Sequence, residues 1–189
     1  MKIAILGWGS LLWDHQVDFD DQHDHWRFDG PLLPLEFSRI SKSRSGALTL
    51  VIDRKNGKQC CVAYAVSRRR NPDDAICDLR SREGTTVSNI GYCLTDGSQK
   101  QGRDTQVLQA ISEWALSKKL DAVTWTDLQN NFKRESKSHQ AFSVPNAISY
   151  LRALDTEGKA KAIEYVRRAP NFVGTPLREA LMHEPWFFV

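Results

Sequence analysis

Residues Lys2-Ile3-Ala4-Ile5-Leu6-Gly7-Trp8-Gly9-Ser10-Leu11-Leu12-Trp13 decide the fold. A short apolar run suited to a buried strand meets glycine at alternate positions, and the apolar pattern then resumes. Glycine lets the backbone turn sharply and approach another group closely, because no Cβ intervenes. Ser10 adds a hydroxyl, and the turn adds backbone N–H groups that suit an anion or a polarised carbonyl. A dinucleotide fingerprint would need a third glycine three residues after Gly9, and that position is Leu12. Trp8 and Trp13 would also crowd a pyrophosphate, and the acidic stretch Asp14 to Asp29 offers no helix N-terminus to face one. Two readings stay open: a loop that binds a small polar group, or a tight turn that only connects core elements.

The 189 residues fit one domain, 1–189, with a substantial core and a helical extension from about residue 143. Hydrophobic residues make up 41% and charged residues 26%, an ordinary balance for a globular protein. No apolar run reaches the length of a membrane span, and the first run is too short and too lightly charged for a signal peptide. A cytoplasmic protein is expected, with no membrane partner. A net charge of +3 is too small to argue for nucleic acid. Cys60, Cys61, Cys77 and Cys93 lack C-x-x-C spacing and read as free buried thiols rather than a zinc site. His15, His23 and His25 lie among aspartates without regular helical spacing, so a polar surface loop is expected there and no metal.

The first half reads as strands. Ala47–Ile52 and Gln59–Val66 flank Asn56-Gly57, the signature of a hairpin. Asn71-Pro72 opens a helix that reaches about Glu83 and stops at Gly84. The second half is mainly helical, with a helix capped by Asp104 or Thr105, a short strand Ala122–Trp125, and helices opening at Ser143, Thr156 and Thr175. The tail Trp186-Phe187-Phe188 is expected to dock, since three free aromatic side chains would invite association. Strands first and helices later predict an α+β fold, a mixed sheet or small barrel flanked by helices.

The second informative segment is Asp78-Leu79-Arg80-Ser81-Arg82-Glu83-Gly84. Taken with Gly7-Trp8-Gly9-Ser10-Leu11-Leu12-Trp13, Arg39-Ile40-Ser41 and Arg44-Ser45-Gly46, it resembles the gamma-glutamylcyclotransferase superfamily, most closely its ChaC-like branch. That family's N-terminal signature reads approximately Gly-Tyr-Gly-Ser-Leu-x-Trp, and its catalytic glutamate lies in an Arg-Glu or Glu-Gly context. The resemblance covers roughly residues 2–92. Trp8 stands where the family has tyrosine, and Thr85 to Ile90 intervene before Gly91-Tyr92.

The resemblance implies a gamma-glutamylcyclotransferase-like fold and an intramolecular aminolysis. The α-amine of a γ-glutamyl group attacks its own γ-carbonyl, closing 5-oxoproline and releasing an amine or amino acid. Glutathione is one candidate substrate. Glu83 is the implied general acid/base. Leu6, Gly7, Trp8, Gly9, Ser10 and Leu11 are the implied substrate-binding loop, holding either the α-carboxylate or the developing oxyanion. Arg39 or Arg44 can pair with a carboxylate or can be a surface arginine. The chemistry calls for no metal or organic cofactor. A small-ligand-binding protein of the same fold, without turnover, is the alternative.

Overall fold

A computed structural model describes residues 1–188. The chain runs β1 (Ile3–Gly7), α1 (Val17–Asp20), β2 (Leu32–Ile40), β3 (Leu48–Ile52), β4 (Lys58–Cys61), β5 (Ala63–Val66) and α2 (Pro72–Arg82). It continues through β6 (Ile90–Leu94), β7 (Lys100–Gln101), α3 (Thr105–Ser117), β8 (Ala122–Thr126), α4 (Phe132–Glu135), α5 (Val144–Arg152), α6 (Thr156–Arg168) and α7 (Pro176–Leu181). The strands form two sheets, and neither closes into a barrel among the described residues, so the fold is α+β with mixed sheet. Two compact units result, one from Met1–Leu33 and Cys61–Leu128, the other from Pro34–Cys60 and the chain from Gln129 onward.

The first unit is a three-layer arrangement. Its sheet has the order β5-β1-β8-β6-β7. β1 pairs parallel with β8 and antiparallel with β5, and β6 pairs antiparallel with β8 and β7. Side chains alternate between faces along each strand. Ile3 and Ile5 of β1, Ala122 of β8, and Ile90 and Leu94 of β6 share a face, and on it lie Ala75, Ile76 and Leu79 of α2. α3 packs against β8 and β6 on the opposite face, where Trp114 meets Tyr64 edge-on at 4.9 Å. The single parallel pair in this sheet, followed by a four-residue 3-10 turn at Gly9–Leu12, is not the succession of parallel strands and crossover helices of a dinucleotide fold.

The helix ends follow the sequence closely. Asn71 caps α2 by accepting from the Asp73 N–H, and Pro72 occupies its first turn. At the other end the N–H of Gly84 bonds to the Ser81 carbonyl and that of Thr85 to the Arg80 carbonyl, a Schellman pair that stops the helix. Asp104, Ser143 and Thr175 cap α3, α5 and α7. α6 opens at Thr156 as expected, with Asp155 before it as the cap, its carboxylate accepting from the Gly158 N–H.

The second unit corrects the expected hairpin. β2 lies between β3 and β4, so the strands flanking Asn56-Gly57 do not pair with each other. Asp53 makes the connection a wider loop. Its carboxylate accepts from the N–H groups of Lys55 and Asn56, from the Asn56 side chain, from Ser38 at 2.8 Å and from Asn130 at 2.8 Å. Burial works to raise the Asp53 pKa, but these hydrogen bonds outweigh it and hold the carboxyl below the usual range. In this unit α5 packs on α6 and α7, and α6 packs on β3. Of the aromatic tail, Phe187 is buried, whereas Phe188 is 53% exposed.

Glu36 of β2 has no exposed surface. Its carboxylate accepts from the Phe37 N–H at 2.7 Å and from the Leu177 N–H at 3.2 Å, at the start of α7. Burial dominates these bonds and the one from Thr175, pushing its pKa up to about 7 from 4.5. The unfolded chain then loses this proton at lower pH than the folded one. The associated stability is complete below about pH 4.5 and is lost as pH rises to about 7, at a cost of roughly 3 kcal/mol at most. Denaturant melts of wild type and Glu36→Gln at pH 5 and pH 8 should show this decline in wild type and a flatter profile in the variant. Equal pH dependence in the two proteins would refute the assignment.

Candidate functional site

The face of α2 turned to the sheet changes character at its end. Ala75, Ile76 and Leu79 are buried on that stripe. Arg82, three residues after Leu79, and Glu83, four after it, continue the stripe at helical spacing. Glu83 keeps helical backbone angles as the last residue before the Gly84 stop. The apolar stripe therefore ends in a charged pair, over the edge where the parallel strands β1 and β8 finish at Gly7 and Thr126. The Arg82 side chain is only 5% exposed. It donates to the Ser10 carbonyl at 3.3 Å and to the Asp14 carbonyl at 2.7 Å, with the Asp14 carboxylate at 3.8 Å. The helix end that carries Glu83 is thus tied to the turn after β1. Glu83 itself is half-buried.

The turn is tight. The Ser10 carbonyl accepts from the N–H groups of Trp13 and Asp14 as well as from Arg82. Gly9 has φ +59°, in the left-handed region that side chains rarely adopt, so its position requires glycine. Ser10 is half-buried. Leu11 joins the core cluster of Ile5, Phe19, Ile76, Leu79 and Ile90, and Leu6 is fully buried on the face away from α2. These two can offer a ligand only their main chain. Trp8 is 5% exposed, so its ring lies inside the protein.

Gly7 uses its missing side chain for packing. A Cβ there would come within 2.4 Å of the Trp26 ring, which fills the space the sequence reading reserves for a close-approaching ligand. Trp26 is half-buried and, with Tyr92, borders the core cluster under α2. The segment Asp14–Asp29 is consequently not a plain polar loop. Phe19 and His23 are buried, and the His23 ring sits 4.9 Å from both Phe19 and Trp26, with Nδ1 donating to the Asp24 carbonyl at 2.7 Å. Aromatic residues four and three positions apart dock this acidic stretch onto the sheet. Among the described residues no three His, Cys, Asp or Glu side chains are grouped to hold a metal ion.

Arg39 and Arg44 belong to the second unit. Arg39 donates to the Gln129 carbonyl at 2.8 Å, and the Arg44 guanidinium lies 5.2 Å from the centre of the Tyr165 ring. The thiols are free, but Cys61 is half-buried and Cys77 exposed, so only Cys60 and Cys93 match the expectation of burial. No helix among the described residues is long and apolar enough to cross a membrane.

Two features of the site escape a residue-by-residue reading. Trp26 looks like one more residue of an acidic loop, and only its four-three spacing with Phe19 and His23 marks a docked face. Thr126 ends β8 with a buried hydroxyl that has no hydrogen-bond partner, and Arg82 likewise keeps its Nε unpartnered. The available signal for Thr126 is the period-two placing of two threonines, Thr124 and Thr126, on an otherwise apolar face. Compared with protein-family models, curated proteins and solved structures, the chain gives no match in any of the three.

Proposed function

We propose that this chain is a gamma-glutamylcyclotransferase-like enzyme that closes the γ-glutamyl group of a small peptide or amine to 5-oxoproline. The observation that supports this best is the hold of Arg82 on the Ser10 carbonyl, which joins the glutamate-bearing end of α2 to the glycine-serine turn. The nucleophilic amine and the carbonyl it attacks belong to one substrate, so the protein has chiefly to select the ring-closing rotamer. The amine is mostly protonated at neutral pH and must lose a proton to attack. Glu83 takes that proton and returns one to the departing nitrogen. The N–H groups of the turn from Trp8 to Leu11 stabilise either the substrate carboxylate or the oxyanion formed at the γ-carbon. This reading places the protein in the cytoplasm, in keeping with four free thiols.

A second reading is favoured by Trp8, which stands where the resemblance has tyrosine, lacks the phenolic hydroxyl and is buried. A protein that binds a γ-glutamyl compound without turning it over would retain the fold and the turn.

Incubation with a panel of γ-glutamyl compounds, followed by mass spectrometry for 5-oxoproline, separates the two. Wild type should form 5-oxoproline. Glu83→Gln should fold, still bind the compound, and lose ~10²–10⁴-fold in rate. Wild-type turnover in the variant would remove Glu83 from the chemistry. Equal binding by both proteins with no turnover in either would leave the binding protein.

The turn makes a separate prediction. Gly9→Val forces a β-branched residue into the left-handed region, at roughly 1–2 kcal/mol of stability. If the turn holds the ligand, calorimetric binding of a γ-glutamyl compound should fall by far more than that strain accounts for. A loss of binding no larger than the loss measured in thermal melts would point to a turn that only connects the core.

A further inference from the structure

The two threonines of β8 face the same side of the sheet and differ in one respect. Thr124 donates its hydroxyl to the Gly91 carbonyl at 3.1 Å. Thr126, two residues on and 8% exposed, leaves Oγ1 buried without a partner. A buried hydroxyl without a hydrogen bond is destabilising, and valine would fill the same volume without that penalty. Keeping threonine there needs a reason outside the stability of the unit.

Its position supplies one. β1 and β8 run parallel with Ile5 opposite Thr124, so two residues further Gly7 and Thr126 end the strands side by side. Thr126 is opposite Ile90 in β6, and Ile90 packs in the cluster that holds Leu79, one turn before Glu83. The hydroxyl therefore lies under the end of α2, on the face that carries Arg82 and Glu83. Arg82 brings a second unpartnered donor, Nε, to the same end of the sheet.

We infer that the Thr126 hydroxyl is a substrate contact, donating a hydrogen bond to an oxygen of the γ-glutamyl group. The inference rests on the cyclotransferase reading and adds a residue that neither the glycine turn nor the glutamate motif contains. A donor hydroxyl at the same end of the sheet as a guanidinium suits a carboxylate or carbonyl oxygen. Reaching the covered hydroxyl requires a neighbouring side chain to rotate, as is common on binding, and half-buried Trp26 and Tyr92 border this wall.

Thr126→Val and Thr126→Ser test it with thermal melts and with 5-oxoproline kinetics on the best compound of the panel. The valine variant should melt at or above the wild-type temperature and lose about tenfold or more in kcat/KM, the worth of one good hydrogen bond. The serine variant keeps the hydroxyl and should stay within a few-fold of wild type. Wild-type kcat/KM in Thr126→Val would overturn the assignment, as would a lowered melting temperature, which would mean that the hydroxyl serves the fold. Absence of 5-oxoproline with wild type itself would remove the cyclotransferase reading and this contact with it, an outcome distinct from activity that survives the valine substitution.

Discussion

The parallel pairing of β1 with β8 is the constraint on which the first unit depends. It makes both strands finish at one edge of the sheet, and it brings the turn after Gly7 level with Thr126. Antiparallel β5 and β6 enclose the pair, so both strands have a neighbour on each side. α2 then needs only a continuous apolar stripe to lie on the sheet. Where that stripe gives way to Arg82 and Glu83, polar chemistry is delivered to the one edge where irregular backbone is available to meet it. The same arrangement explains why Arg82 is buried. Its guanidinium satisfies main-chain carbonyls of the turn, which tolerates its removal from water better than an unpartnered charge would allow.

The two buried carboxylates of the second unit show how partner count decides charge. Asp53 gathers donors from three side chains and two main-chain groups, and its ionised form is favoured. Glu36 has main-chain donors from Phe37 and Leu177 with Thr175 beside them, and desolvation prevails. Both connect distant parts of the sequence within that unit, Asp53 to Asn130 and Glu36 to the first turn of α7.

Much of the secondary structure was legible because its signals are local. Asn71-Pro72 and Gly84 bound α2, and capping residues mark α3, α5 and α7 with little error. β2 carries period-two alternation at Leu33, Leu35 and Phe37, but Pro34 lacks an N–H for the ladder and Glu36 puts a charge among them, both signals against a buried strand. Its insertion between β3 and β4 is a long-range pairing that Asn56-Gly57 cannot report. The candidate site was partly legible for the same reason. The glycine turn and the Arg-Glu end of a helix are short motifs. Trp26 filling the space over Gly7, Arg82 reaching back 72 residues to Ser10, and the unpartnered hydroxyl of Thr126 depend on which surfaces meet, and no window of sequence contains both sides of those contacts.

Each compact unit is assembled from two separated stretches of chain. β1 receives its parallel partner only when residues Ala122–Thr126 have been made, and Lys2 and Asp121 bond to each other across nearly the whole first unit. During synthesis the N-terminal strand therefore emerges long before its neighbour, with one hydrogen-bonding edge open. Closing so long a loop comes before any gain from the contacts it permits, which slows folding and prolongs that exposure. The geometry that sets the two strand ends side by side thus leaves β1 with an unpaired edge on the ribosome until β8 has been made.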